Sequence, residues 1–162
     1  MKKTILLAVL SALPATAAVA QMPPAAKGPS MEVALEAAKV AVNTCKANGY
    51  TVSVSVVDSA GVLKTLVAND GAFAMAVTSS QRKAVTAIAY GKPTSELEAK
   101  AKADTAFAAE VAGKPTLFAR AGAQLLVKNG VVLGAIGVGG APGGEKDDVC
   151  ALAAVTSVAN KL

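Results

Sequence analysis

An Asn-Gly pair, Asn129-Gly130, separates two apolar runs at residues 124–128 and 131–138, and no other feature constrains the fold of this chain as strongly. A two-residue turn that follows the twist of its flanking strands needs positive φ at both positions, which Asn and Gly adopt most readily. A second hairpin precedes it. Val52, Val54 and Val56 alternate with Ser53 and Ser55, the period of a half-buried strand over residues 51–57. Residues 58–61 (Asp-Ser-Ala-Gly) form a turn, residues 62–68 return as the partner strand, and Asn69-Asp70-Gly71 marks a further turn. Strands joined by hairpins imply an antiparallel sheet. The expected fold class is therefore α/β, of the α+β type, with the sheet covered by helices.

Those helices are read from apolar spacing. Ser30 is placed to cap a helix in which Met31, Leu35, Ala38, Val42 and Cys45 share one face, and Asn48-Gly49 stops it. Residues 74–90 form a second helix, with Val77, Ala84, Val85 and Ile88 on one face and Arg82 and Lys83 elsewhere. Ser95 and Glu98 have capping-box spacing, which starts another helix at about Glu96. The Ala-rich stretch through Ala112 continues it in one or two pieces, ended by Gly113 and Pro115. A glycine-rich loop over residues 137–144 leads into a last helix at residues 145–160.

Residues 1–20 have the form of a signal peptide. Lys2 and Lys3 precede an apolar run at residues 5–13, and Ala18-Val19-Ala20 offers the small residues of a cleavage site before Gln21. The run is shorter than the roughly 20 residues of a spanning helix. The expected product is periplasmic or secreted, with no integral membrane segment in the mature chain. Residues 21–29 (QMPPAAKGP) form a flexible leader, and residues 30–162 form one domain. Removing Lys2 and Lys3 lowers the formal charge from +5 to +3, with basic residues scattered and aromatics scarce, so nucleic acid is not an expected partner. Histidine is absent. Ser-His-Asp and Cys-His catalysis are thereby excluded, and no metal site is expected. Cys45 and Cys150 form an even pair in an exported chain, which invites a disulfide; two buried, unpaired thiols are the alternative.

Four blocks resemble the GlcG/HbpS-like family: VSVSVVDSAGVLKTLVANDGA over residues 52–72; Lys83-Ala84-Val85-Thr86-Ala87; Gly91-Lys92-Pro93-Thr94; and Gly130 through Gly140 with Asp147 beyond. Their order, over nearly the whole mature chain, makes the resemblance specific. It implies a compact α/β fold with an antiparallel sheet, assembly into homo-oligomers, and heme as a cofactor, since some members bind heme. One member is an extracellular partner of a redox-sensing system, and others accompany catabolic operons. The chain departs from the pattern at Ala121-Gly122-Ala123-Gln124, where a Gly-Gly pair followed by a small apolar residue and Pro is usual. Heme ligation by histidine cannot be carried over, leaving Tyr50, Tyr90, a Met, a Lys or a hydroxyl as the iron ligand.

The loop carrying Gly139 and Gly140 is the leading candidate ligand site, because glycines let a ligand approach the backbone and a helix N-terminus attracts anions. It is neither a P-loop nor a dinucleotide fingerprint. It also reads as a plain strand-to-helix turn, with Asp147 and Asp148 complementing the helix dipole. Asp58 and Asp70 suit turns; Asp70 is alternatively a pocket-rim group beside Lys83 and Arg82. Lys83 is either a charge partner for a ligand or an exposed helical lysine, and Arg120 is a further anion-orienting candidate. Together these residues point to an exported small-molecule-binding protein, for heme or another ligand, or an accessory to a sensor or catabolic system. An accessory enzyme acting on small carboxylates through Asp147 and Lys83 acid–base chemistry is the alternative. An interaction subunit without a ligand is the third reading.

Overall fold

The computed structural model describes residues 26–162; residues 1–20, expected to be a signal peptide, and residues 21–25 of the expected leader lie outside the described residues. Helix α1 (Met31–Ala47) is followed by strands β1 (Ser53–Asp58) and β2 (Leu63–Ala68). Three helices come next: α2 (Ala74–Tyr90), α3 (Thr94–Ala103) and α4 (Thr105–Ala112). Strands β3 (Ala123–Lys128) and β4 (Val131–Gly139) lead to α5 (Gly144–Val158). The strands make one antiparallel sheet in the order β2-β1-β4-β3. Asn129 and Gly130 take φ values of 51° and 76°, so the β3–β4 turn forms as its residues require.

Helices α1 and α5 pack on each other and on one face of the sheet, and α2 covers the other face. Val54, Val56, Leu126, Ile136 and Val138 point to the α1–α5 side. Val57, Ala123 and Ala135 meet Ala84 and Ala87 of α2. This arrangement corrects the reading of β1 as half-buried, because all six of its residues are buried. Its serines face α2, where the Ser55 and Ser80 hydroxyls share a 2.8 Å hydrogen bond. A central strand covered on both sides alternates between two kinds of buried surface, not between core and water.

Packing at close quarters explains the other departures. On α1 the buried face is Ala34, Ala37, Ala38, Ala41, Val42 and Cys45, whereas Met31 is 64% exposed. Ala151, Ala154 and Cys150 of α5 come so near that small residues, and not the largest ones, set the rotation of α1. Helix α2 lies against the backbone of β4, and a Cβ on Gly137 or Gly139 would collide with Ser80 or Ser79. Ser95 does not cap α3, which starts at Thr94 after Pro93. The Thr94 hydroxyl and the Glu98 carboxylate instead accept from the backbone of Ala123 and Ala121. Asp104 separates α3 from α4 and caps the latter through Phe107 N–H. The leader is held from Lys27, whose carbonyl accepts from Ser59 N–H at 2.8 Å, and Pro29 is buried.

Cys45 and Cys150 are disulfide-bonded, fully buried and 105 positions apart, with Cα atoms 5.6 Å from each other. The bond joins α1 to α5 and closes most of the described chain into one loop. Chain-entropy arguments assign such a closure roughly 2–5 kcal/mol. The variant Cys45→Ala/Cys150→Ala is expected to keep the fold and lose stability of that order in urea unfolding. An unchanged midpoint would remove the bridge from the sources of stability.

Candidate functional site

Strand β4 ends at Gly139, and the chain turns through Gly140 (φ 124°) to Gly143 (φ 134°) before α5 begins. One turn into α5, Asp147 points back beneath this loop. From the opposite face, α2 brings Lys83 to the same end of the sheet. Its Nζ donates to Asp147 Oδ2 at 2.7 Å and to the Val138 carbonyl at 3.0 Å. Asp147 Oδ1 accepts from Ala141 N–H at 3.0 Å. Lys83 and Asp147 are only 3% and 2% exposed, so Lys83 is not the exposed helical lysine that its spacing allowed. Burial pushes the Asp147 carboxyl above the usual carboxylate range, against the opposing pull of Lys83 and the Ala141 N–H; Glu145 adds to the upward push. Gly122 roofs the pair: a Cβ there would sit 2.7 Å from both Lys83 Nζ and Asp147 Cβ.

The segment entering β3 is fastened residue by residue. Phe118 N–H donates to Thr86 Oγ1 at 2.7 Å, Ala121 N–H to Glu98 Oε2 at 2.8 Å and Ala123 N–H to Thr94 Oγ1 at 2.8 Å. Gly122 N–H and Gln124 Nε2 both donate to Asp148 Oδ1. Asp147 and Asp148 are thus turned to other partners, and neither caps α5. This fastening falls on the stretch where the sequence departs from the family pattern, and it sets Phe118 and Arg120 beside Lys83.

An open cavity of about 220 Å³ results. Lys83 and Asp147 form its floor, Gly140, Ala141, Gly143 and Gly144 one wall, and Phe73, Met75, Phe118 and Arg120 its rim. Phe73 and Met75 are 53% and 75% exposed, unusually wet for such side chains. Of the expected site residues, the structure brings together Lys83, Asp147 and Gly140, with Arg120 on the rim. Gly139 packs against α2 and does not line the cavity. Asp70 is exposed on the turn before α2 and is not among the lining residues. Asp58 forms its turn, accepting from Ala60 and Val62 N–H. Sequence reasoning missed Phe73, Met75 and Phe118. The available signal was scarcity: the chain has three Phe, and two stand at this rim.

Met75 is the soft donor at the cavity. Tyr50 lies elsewhere beneath Lys146, and the Tyr90 hydroxyl bonds Glu110 beside a different cavity. Among the described residues no group of three or more His, Cys, Asp or Glu could hold a metal ion. Also among them, no helix is long and apolar enough to cross a membrane.

Removing one partner of a buried ion pair leaves the other uncompensated, at a cost of about 3–5 kcal/mol. Asp147→Asn and Lys83→Met are each expected to destabilise by that order, and the double variant by less than their sum. A native carboxyl pKa above its unfolded value means that the native state holds more protons between the two, so this group's contribution falls as pH rises through that window. The pH profile of Asp147→Asn should therefore lack a decline present in the parent, above about pH 4. Additive single effects or superimposable profiles would contradict this picture of the pair.

The family model described as "Haem degrading protein HbpS-like" matches residues 30–156. Among solved structures, a double mutant of HbpS from Streptomyces reticuli is 32% identical, with a TM-score of 0.75, over 91% of this chain and 98% of that one. A complex of PduOC with heme is 22% identical, with a TM-score of 0.72, over 80% of this chain and 94% of that one. Protein ORFY of Klebsiella pneumoniae is 21% identical, with a TM-score of 0.72, over 85% and 96% of the two chains. No curated protein matches. The family match spans the described domain almost from end to end, and the HbpS structure shares both its sheet and its helices: the chain belongs to the HbpS-like family.

Proposed function

We propose that this is an exported binding protein whose cavity between α2 and the β4–α5 loop takes heme or another flat, partly apolar anion. The observation that carries the reading is the pairing, around one opening, of exposed Phe73 and Met75 and half-buried Phe118 with the cationic Arg120. An apolar rim with a few placed polar groups is the common form of a small-molecule site. The residues fit heme without histidine: Met75 would offer a thioether to the iron, Phe73 and Phe118 would supply apolar walls, and Arg120 would meet a carboxylate. Bound heme would supply an iron centre for redox chemistry; the family's description and the heme complex of PduOC support that choice. Lys83 and Asp147 direct their hydrogen bonds to the protein itself, which supports binding over acid–base turnover.

Export is supported by the signal-peptide pattern of residues 1–20 and by a buried disulfide, a bond that persists in oxidising compartments. Assembly with further copies is supported by Val149 and Leu152, exposed one turn apart on the outer face of α5.

The test is a hemin titration of the mature, oxidised protein, followed by absorption against free hemin and an albumin control. A saturable Soret shift is expected, weakened at least about tenfold in Met75→Ala. A linear, unsaturable response would end the heme reading. An unchanged response in Met75→Ala would end the assignment of the ligand.

A further inference from the structure

A second cavity, of about 360 Å³, lies behind the Phe118–Arg120 segment, against α2, α3 and α4. Its wall is apolar along Ala101, Val111 and Leu117, and the charged side chains lining it are Arg82 and Arg120. It shares only Phe118 and Arg120 with the cavity above Lys83.

Arg82 is unusual in its lack of compensation. One Nη donates to the Leu117 carbonyl, and the guanidinium stacks 5.2 Å from the centroid of Phe118. Its Nε is buried with no hydrogen-bond partner. Among the described residues, no acidic side chain forms an ion pair with it. Arg120 is little better neutralised: its Nε stands 3.7 Å from Glu98 Oε1, and Glu98 already accepts from Ala121 N–H and pairs with Lys102. Two guanidinium groups therefore border an apolar trough, Arg82 without an ion-pair partner among the described residues and Arg120 sharing Glu98 with Lys102. A half-buried cation without a counter-charge is costly, and a planar donor fork matches a carboxylate. The volume falls within the roughly 300–1,000 Å³ of small-molecule sites.

We infer that this trough binds an aliphatic monocarboxylate of medium chain length. The carboxylate meets Arg82 and Arg120, and the chain lies along Ala101, Val111 and Leu117. The site shares Phe118 and Arg120 with the proposed heme cavity, whereas Arg82, Ala101, Val111 and Leu117 belong to the trough and not to that cavity, so the assignment stands whether or not heme binds.

The experiment is calorimetric titration of the mature, oxidised protein with sodium octanoate, with 1-octanol as the uncharged control. Saturable binding of one octanoate per chain is expected, with 1-octanol weaker. Arg82→Gln should weaken octanoate at least about tenfold and leave the hemin titration unchanged. Absence of saturable octanoate binding, equal binding of 1-octanol, or joint loss of octanoate and hemin binding in Arg82→Gln would overturn the assignment. Amide chemical shifts of the unaltered protein give a reading independent of that variant's folding. Octanoate should move Ala101, Ala108, Val111 and Ala112, and shifts confined to the Lys83 cavity would overturn the proposal.

Discussion

Carrying an ammonium and a carboxylate into a protein interior costs several kcal/mol for each ion, and their attraction offsets this only when the remaining donors and acceptors are also satisfied. At Lys83 and Asp147 the Val138 carbonyl and the Ala141 N–H add to that attraction, although burial still outweighs it at the Asp147 carboxyl. Those two backbone groups flank the turn out of β4, so the pair holds the glycine-rich loop as well as the helices that supply it. Gly122 must remain without a side chain for the contact to close. The cavity above the pair has its depth and its polar floor because of this one interaction.

Helix α5 is secured from two directions. Asp147 ties it to α2 on one face of the sheet, and Cys150, three residues on, ties it covalently to α1 on the other. Residues at that spacing lie on neighbouring positions of a helix surface, so a single turn of α5 faces both layers. The sheet is gripped between α2 and the α1–α5 pair at the end where β4 gives way to the loop. The small residues of α1, α2 and α5 follow from that grip, since each helix must approach closely for the bonds to form.

Local chemistry was legible in the sequence. The Asn129-Gly130 turn, the Ser30 cap, the Asp58 turn and the helical character of the stretch through Ala112, though not whether it forms one piece or two, depend on neighbours a few positions away. Cys45 and Cys150 could be paired from compartment and count. What was not legible depends on which faces are covered. Periodicity groups Lys83 with other α2 residues, but only the sheet beneath decides that this lysine points inward. The serines of β1 looked solvent-facing for the same reason, and Ser95 and Glu98 looked like a cap because the demands of Ala121 and Ala123 lie more than twenty residues away. Asp70 suited both a turn and, alternatively, the rim beside Lys83; the turn carries it outward, and the next few residues bring Phe73 and Met75 to the rim instead.

The fastening of residues 118–123 has a consequence for the space on either side. Thr86, Thr94, Glu98 and Asp148 hold this segment from α2, α3 and α5, and Phe118 and Arg120 form the partition between two cavities. A partition has no thickness to spare. Displacing it toward one chamber enlarges the other by the volume taken, so the two chambers trade capacity across a common boundary. Substitutions at these four anchors, none of them lining either chamber, would then retune both at once and in opposite senses.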